Sequence, residues 1–244
     1  MEEEKLIRLN KYLAHAGIGN RRECDDYITE GLVTVNNILI NKAGTKIKLN
    51  DIVTYKGEVV AAEKKVYVLL NKPKNISSFK TDEQEIKSIY YLTHAFSEKL
   101  KFGYTPRIKP IDILDIDERG LILMTNDSEL EKKLSKNPKV EKIYHLNLDK
   151  GLLEEDYDKI IKGFKVESGS FKVKELGFLD EDSFTNIGIK VQLANNKILI
   201  DVFESLGYKI DYLDRTVYSG LTKRDLPRGR WRFLKPEEVI KLKY

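Results

Sequence analysis

With a single cysteine, Cys24, the chain cannot form an internal disulfide, which excludes a small secreted fold stapled by cystines. No apolar run approaches the roughly twenty residues that a membrane-spanning helix needs. Charged residues make up 34% of the sequence, and together these features predict a soluble protein in a reducing compartment. The three histidines, His15, His94 and His145, are scattered without ligand spacing, so no zinc or other metal site is expected. No G-x-G-x-x-G string occurs, which argues against a methyltransferase with a glycine-rich nucleotide loop, and no adenylate-handling signature of a tRNA-charging enzyme is visible. The amino-terminal stretch, MEEEKLIRLN, has three glutamates where a secretory signal has a positive stretch and an apolar core. A cytoplasmic monomer is the default expectation.

A length of 244 residues exceeds one minimal domain and suits two, and 41% hydrophobic content is enough for a real core. The net charge of +4 is small but unevenly spread. Residues 1–60 balance nine basic against nine acidic side chains, whereas residues 205–244 hold ten basic and five acidic. Phosphate binding depends on the cations that touch the backbone, so such clusters count for more than the total.

Apolar residues at Leu6, Leu9, Leu13 and Ala16 predict a first helix that ends near Gly17, with Arg8, Lys11 and His15 on another face. Asn20 followed by Glu23 has the spacing of a capping box and predicts a second helix from Arg21 to about Glu30. Arg21 and Arg22 in its first turn oppose the helix dipole; they are either solvated surface residues or placed for an anion. Alternation in residues 32–35, the Asn36-Asn37 turn and residues 38–40 predict a hairpin, and residues 51–55 a further strand. The polar bridge at residues 61–65 precedes a strand-like run at 66–70, so the domains are placed at 1–60 and 61–244. The second lacks a regular βαβ rhythm and is expected to be a mixed, mainly antiparallel α+β domain. It should hold an apolar strand at 120–125, an alternating strand at 187–193, a helix at 197–206 closed by Gly207, and a last short helix opening at Pro236.

The segment RLNKYLAHAGIGNRRECDDYITEGLVTVNN resembles the small RNA-binding domain named after ribosomal protein S-four. The resemblance implies RNA phosphate contacts from Arg8, Lys11, Arg21 and Arg22. The remainder resembles ribosomal-RNA pseudouridine synthases of the RsuA/RluB type, through YVLLNKPK (67–74), ILDIDERGLILMTNDSEL (113–130), KIYHLNLDK (142–150) and LPRGRWRFL (226–234), in that order. This second resemblance implies the isomerisation of a specific uridine in ribosomal RNA. That reaction breaks a glycosidic bond, turns the freed base and rejoins it through carbon five, so neither metal nor redox cofactor is needed. It needs a flipped-out nucleotide, a carboxylate beside the sugar, a ring for the base and a closed pocket.

By resemblance the carboxylate is Asp115 and the ring is Tyr144; read as isolated residues, they are a turn or cap aspartate and a core tyrosine. Lys72, Lys197, Arg228 and Arg230 complete the expected RNA contacts, although a solvated lysine, or a strand with one arginine-bearing face, would give the same pattern at 72 and 228–232. Two positions depart from the family. Gly-Arg-Leu-Asp is replaced by Asp112-Ile113-Leu114-Asp115, and Ile200 stands where an arginine ordinarily pairs with the carboxylate. Asp112, Asp117 and Asp201 would add negative potential near Asp115, against which Lys72, Arg119 or Lys197 could act. The departures define an alternative: a relative that binds ribosomal RNA without modifying it.

Overall fold

The computed structural model describes residues 6–48, 50–60, 64–79, 87–93, 106–135, 137–180 and 182–244; residues 61–63 of the polar bridge and His94 lie outside them. The chain divides into two units, Met1–Lys65 and Val66–Tyr244. No helix among the described residues is long and apolar enough to cross a membrane.

In the first unit, β1 (Ile7–Arg8) precedes α1 (Leu9–His15) and α2 (Arg21–Thr29). The strands β2 (Val33–Val35), β3 (Ile38–Ile40), β5 (Val53–Tyr55) and β6 (Glu58–Val59) form a sheet of order β3-β2-β5-β6, and β4 (Lys46–Ile47) pairs with β1. The first helix starts later than its spacing predicts. Ile7 and Arg8 are held extended by Ile47 and Lys46, so Leu6 is exposed and Arg8 is the N-cap of α1 rather than a member of the Lys11 face. The second helix opens as expected: Asn20 accepts from the amides of Arg22 and Glu23 at 2.9 and 3.0 Å, and Glu23 accepts from that of Asn20 at 2.7 Å. Asn36 and Asn37 take φ of 50° and 65°, the left-handed pair that a two-residue hairpin turn requires. Leu9, Leu13, Cys24, Ile28, Val33 and Val53 form the fully buried centre.

The second unit is mixed α+β. Its strands are β7 (Tyr67–Lys72), β8 (Lys109–Ile111), β9 (Arg119–Thr125), β10 (Glu141–Leu148), β13 (Lys172–Phe178), β14 (Asn186–Gln192), β15 (Ile210–Tyr218), β16 (Leu221–Thr222) and β17 (Trp231–Phe233), with a short ribbon of β11 (Lys165–Val166) and β12 (Gly169–Ser170). Among the described residues the main sheet runs β13-β14-β10-β15-β9-β7-β17, with β16 on β15 and β8 on β9. Every pairing is antiparallel except β15 on β9. Among the described residues its helices are α3 (Ile89–Thr93), α4 (Ser128–Leu134), α5 (Glu154–Lys162), α6 (Asn196–Ser205) and α7 (Pro236–Lys243). In β7 and β9 successive residues enter two different cores, Leu70 and Ile122 one, Leu69 and Leu121 the other, which is why both strands are almost continuously apolar. β10 has one covered face, and it alternates: Tyr144, Leu146 and Leu148 are buried between half-buried Ile143, His145 and Asn147. Burying each such large apolar side chain contributes about 1.5–3 kcal/mol.

Two details of this sheet place the turn between β8 and β9. Gly120, at φ +118°, lies opposite Arg215 in the parallel pair, and a Cβ there would sit 2.4 Å from the Arg215 backbone nitrogen and oxygen. Lys72, at the end of β7, has no exposed surface; its ammonium lies under the turn and donates to the carbonyl oxygens of Asp115 and Glu118 at 2.7 Å each, Pro73 at 3.2 Å and Ile116 at 3.3 Å. The expected contact of Lys72 with phosphate is therefore corrected: its charge is taken up by the protein backbone. Burial pulls its pKa down to about 8, although Glu118, Asp115 and Asp117 oppose the shift.

Two outcomes are expected. Gly120→Ala costs about 3 kcal/mol or more in urea unfolding, whereas Gly177→Ala, whose Cβ meets nothing, costs less than about 0.5 kcal/mol. Between pH 8 and 10.5 the unfolded chain keeps the Lys72 proton that the folded chain loses, so this residue's contribution to stability rises with pH across that window. Unfolding curves of wild type and Lys72→Met should diverge in favour of wild type from pH 8 upward; parallel pH dependences would refute the assignment.

Candidate active site

The turn from Leu114 to Glu118 has an anchored backbone and a free side chain. Leu114 is buried, its carbonyl accepting from the Ser78 hydroxyl at 2.5 Å. The Asp115 amide donates to Glu118 Oε2 at 2.8 Å, and the Glu118 amide donates to the Asp115 carbonyl at 3.1 Å. With its backbone occupied in this way, Asp115 presents an exposed carboxylate to a cleft of about 630 Å³. That volume lies in the range of roughly 300–1,000 Å³ typical of small-molecule sites. Ser77, Ser78, Phe79, Ile200, Leu213 and the acidic residues Asp117, Glu118, Glu204 and Asp211 share the lining with it. Among the described residues Lys209 is the one cation in the lining, and it pairs with Asp211 at 2.9 Å.

Tyr144 is fully buried and does not line this cleft; a base could stack on it only after the cover over the ring opens. Its hydroxyl donates to Asn196 Oδ1, and Asn196 Nδ2 donates to Glu118 Oε2 at 3.0 Å. The Asp115 amide and the Tyr144 hydroxyl are thus joined through two buried side chains. Burial pushes the Tyr144 phenol above its ordinary range, with Arg215 opposing and Asp112 adding to the shift.

Behind the tyrosine lies a buried charge cluster. Arg215, with no exposed surface, donates from Nε to the Leu121 carbonyl at 2.8 Å and from Nη2 to the Asp112 carbonyl at 2.6 Å. The Asp112 carboxylate pairs with Arg215 Nη1 at 3.3 Å and with Lys142 Nζ. Asp112, which stands at φ +55°, is therefore turned away from Asp115 into two cations. Asp201, the second feared neighbour, pairs with Lys197 at 2.8 Å. Arg119 lies over the Tyr212 ring, 4.5 Å from its centroid. Among the described residues no cation forms an ion pair with the Asp115 carboxylate, and half-buried Ile200 contributes an apolar wall.

The remaining expected RNA contacts differ in the partners they hold within the chain. Arg228 grips the fully buried Asp214 at 2.6 and 3.1 Å and also donates to Asn71 Oδ1 at 2.7 Å and the Lys72 carbonyl at 3.3 Å. These bonds brace the end of β7, and Arg228 stays exposed at the surface. Burial pushes Asp214 up, but hydrogen bonds from Arg228 and Lys223 outweigh it and hold the carboxyl below its ordinary range. Arg230 is exposed, as are Arg8, Arg21 and Arg22; Lys11 is half-buried, and Lys197 is largely exposed beside Asp201. Sequence reasoning missed Glu118, Asn196, Arg215 and Lys142. The one available signal was the Asp115-x-x-Glu118 spacing, the same three-residue reach by which a glutamate accepts from a backbone amide in a capping box.

Comparison with known proteins identifies the family. The S4 domain family matches residues 7–53, and the family described as RNA pseudouridylate synthase matches residues 66–199. Ribosomal large subunit pseudouridine synthase B of Bacillus subtilis (strain 168) is 32% identical over 98% of this chain and 96% of its own length. The dual-specificity RNA pseudouridine synthase RluF of Escherichia coli (strain K12) is 31% identical over 99% of this chain and 80% of its own. A solved structure titled as a pseudouridylate synthase shares the fold with a TM-score of 0.60, at 22% identity, over 97% of this chain and 99% of that one. The chain belongs to the RNA pseudouridylate synthase family and carries an S4 domain ahead of the synthase region.

Proposed function

We propose that this protein isomerises a specific uridine of ribosomal RNA to pseudouridine, with Asp115 as the reacting carboxylate. The observation that carries the reading is an exposed aspartate on an anchored turn at a cleft of nucleotide size, in a chain whose relatives are pseudouridine synthases. The reaction moves the ribose C1′ bond from N1 to carbon five of the same base; carbon five loses a proton and N1 gains one, so no oxidant or reductant enters. Asp115 offers its oxygens to the electron-poor C1′ while the bond to the base is broken. The buried backbone bonds of its turn keep it in place without occupying those oxygens. Tyr144 lies behind the site as the ring available to the base once it is uncovered; stacking there would contribute about 1–3 kcal/mol. Arg21 and Arg22, exposed in the first turn of α2, together with Arg8, Lys11, Lys197 and Arg230, supply phosphate contacts. The reading carries with it a cytoplasmic monomer acting without metal or cofactor.

A second reading, an RNA-binding relative that does not modify its target, is favoured by Ile200 on the cleft wall and by the surplus of carboxylates in the lining. Tritium release from ribosomal RNA carrying 5-tritiated uridine separates the two. Wild type should release tritium, and Asp115→Asn should abolish release while RNA affinity is unchanged; binding without release by wild type establishes the second reading. The RNA-binding surface is checked separately. Arg21→Ala combined with Arg22→Ala should weaken RNA binding and lower the log–log salt slope by about 1.4–1.8, two phosphate contacts at about 0.7–0.9 each. An unchanged slope would remove these arginines from the interface.

A further inference from the structure

Glu118 stands out because the mechanism gives it no task and burial makes it costly. It is 7% exposed, yet no cation forms an ion pair with it among the described residues; the nearby Arg215 is engaged by Asp112. A buried carboxyl persists where its hydrogen bonds matter, and here both fall on one oxygen. Oε2 accepts from the Asp115 amide at 2.8 Å and from Asn196 Nδ2 at 3.0 Å. Asn196, the first residue of α6, holds the Tyr144 hydroxyl through its own oxygen. Oε1 is buried and, among the described residues, has no hydrogen-bond partner.

We propose that Glu118 is a positioning residue which, through Oε2, ties the Asp115 backbone to Asn196 and so to Tyr144, fixing the reacting carboxylate relative to the aromatic ring. The proposal rests on the reading of Asp115 as the reacting group. Because both bonds use Oε2, a proton or an amide nitrogen at Oε1 leaves the tie intact. Asp115, Lys72, Arg215 and Tyr144 face this carboxyl, and burial raises its pKa, with Asp115 adding to the rise and Asn196, the Asp115 amide and Arg215 opposing it. The neutral and charged forms therefore position the turn alike, and glutamine reproduces the neutral form.

The test uses the full chain and 5-tritiated ribosomal RNA in single-turnover assays, together with amide hydrogen exchange at Asp115. Glu118→Ala should slow the reaction about a hundredfold, the usual effect of a small misplacement. RNA affinity should stay within about twofold, and Glu118→Gln should stay within about threefold of the wild-type rate with a superimposable pH profile. Asn196→Ala cuts the same chain at its other end. It should match Glu118→Ala, and the double variant should lose no more than either single one. If Glu118→Ala does not fold, Asn196→Ala and Glu118→Gln carry the test. The Asp115 amide should be protected in wild type and in Glu118→Gln, and exchange rapidly in Glu118→Ala. A wild-type rate in Glu118→Ala, a Glu118→Gln as slow as Glu118→Ala, or unchanged exchange would overturn the proposal. If wild type itself releases no tritium, the synthase reading falls and exchange alone decides: protection lost in Glu118→Ala upholds the tie, and protection retained removes it.

Discussion

A single buried ammonium sets the stage for the site. Lys72 reaches from the end of β7 to the underside of the turn at 115–118 and donates to the carbonyls of Asp115, Ile116 and Glu118, adding a charged donor to the amides of Glu118 and Asn75 that already bond the first two. The turn is thereby held from below, and Glu118 holds it from within through the Asp115 amide. What remains free is the Asp115 side chain. On the reading proposed above, the carboxylate at 115 needs a fixed support and uncommitted oxygens, and the backbone bonds give the first without using the second.

The support extends well beyond the turn. Asp214 on β15 holds Arg228, and Arg228 braces Asn71 and the Lys72 carbonyl, so the basic segment near residue 230 acts partly as internal scaffolding. On the other side of the sheet's centre, Gly120 lets β9 pass against Arg215 at backbone contact, which brings that arginine to Asp112 and Tyr144. Removing one member of such a buried charged set is expected to cost about 3–5 kcal/mol, because it leaves an opposite charge uncompensated; the intact set contributes much less than that to net stability. Geometry, rather than stability, is the more economical account of these charges.

Local chemistry was legible from the sequence, and long-range pairing was not. Asn20 and Glu23 announced a helix start, Asn36-Asn37 a hairpin, and the unbroken apolar run after Gly120 a strand. The first helix was placed too early, because nothing local reveals that Ile7 and Arg8 pair with residues about forty positions on. The same limit applies to charge. The basic surplus of residues 205–244 is visible in composition, but Lys209, Arg215, Lys223, Arg228 and Arg232 all turn out to be paired with carboxylates of this chain. Asp115 was singled out because its motif surrounds it. Glu118 and Asn196 were not, because their contact spans 78 residues and each alone reads as an ordinary surface polar residue.

The central claim is that the carboxylate at position 115 converts a uridine of ribosomal RNA. Its most direct measurement is chemical mapping of pseudouridine across the ribosomal RNA of cells carrying the intact gene, lacking it, or complemented with Asp115→Asn. The account predicts one position that is pseudouridine with the intact gene and uridine in the other two. A map identical in all three would contradict it.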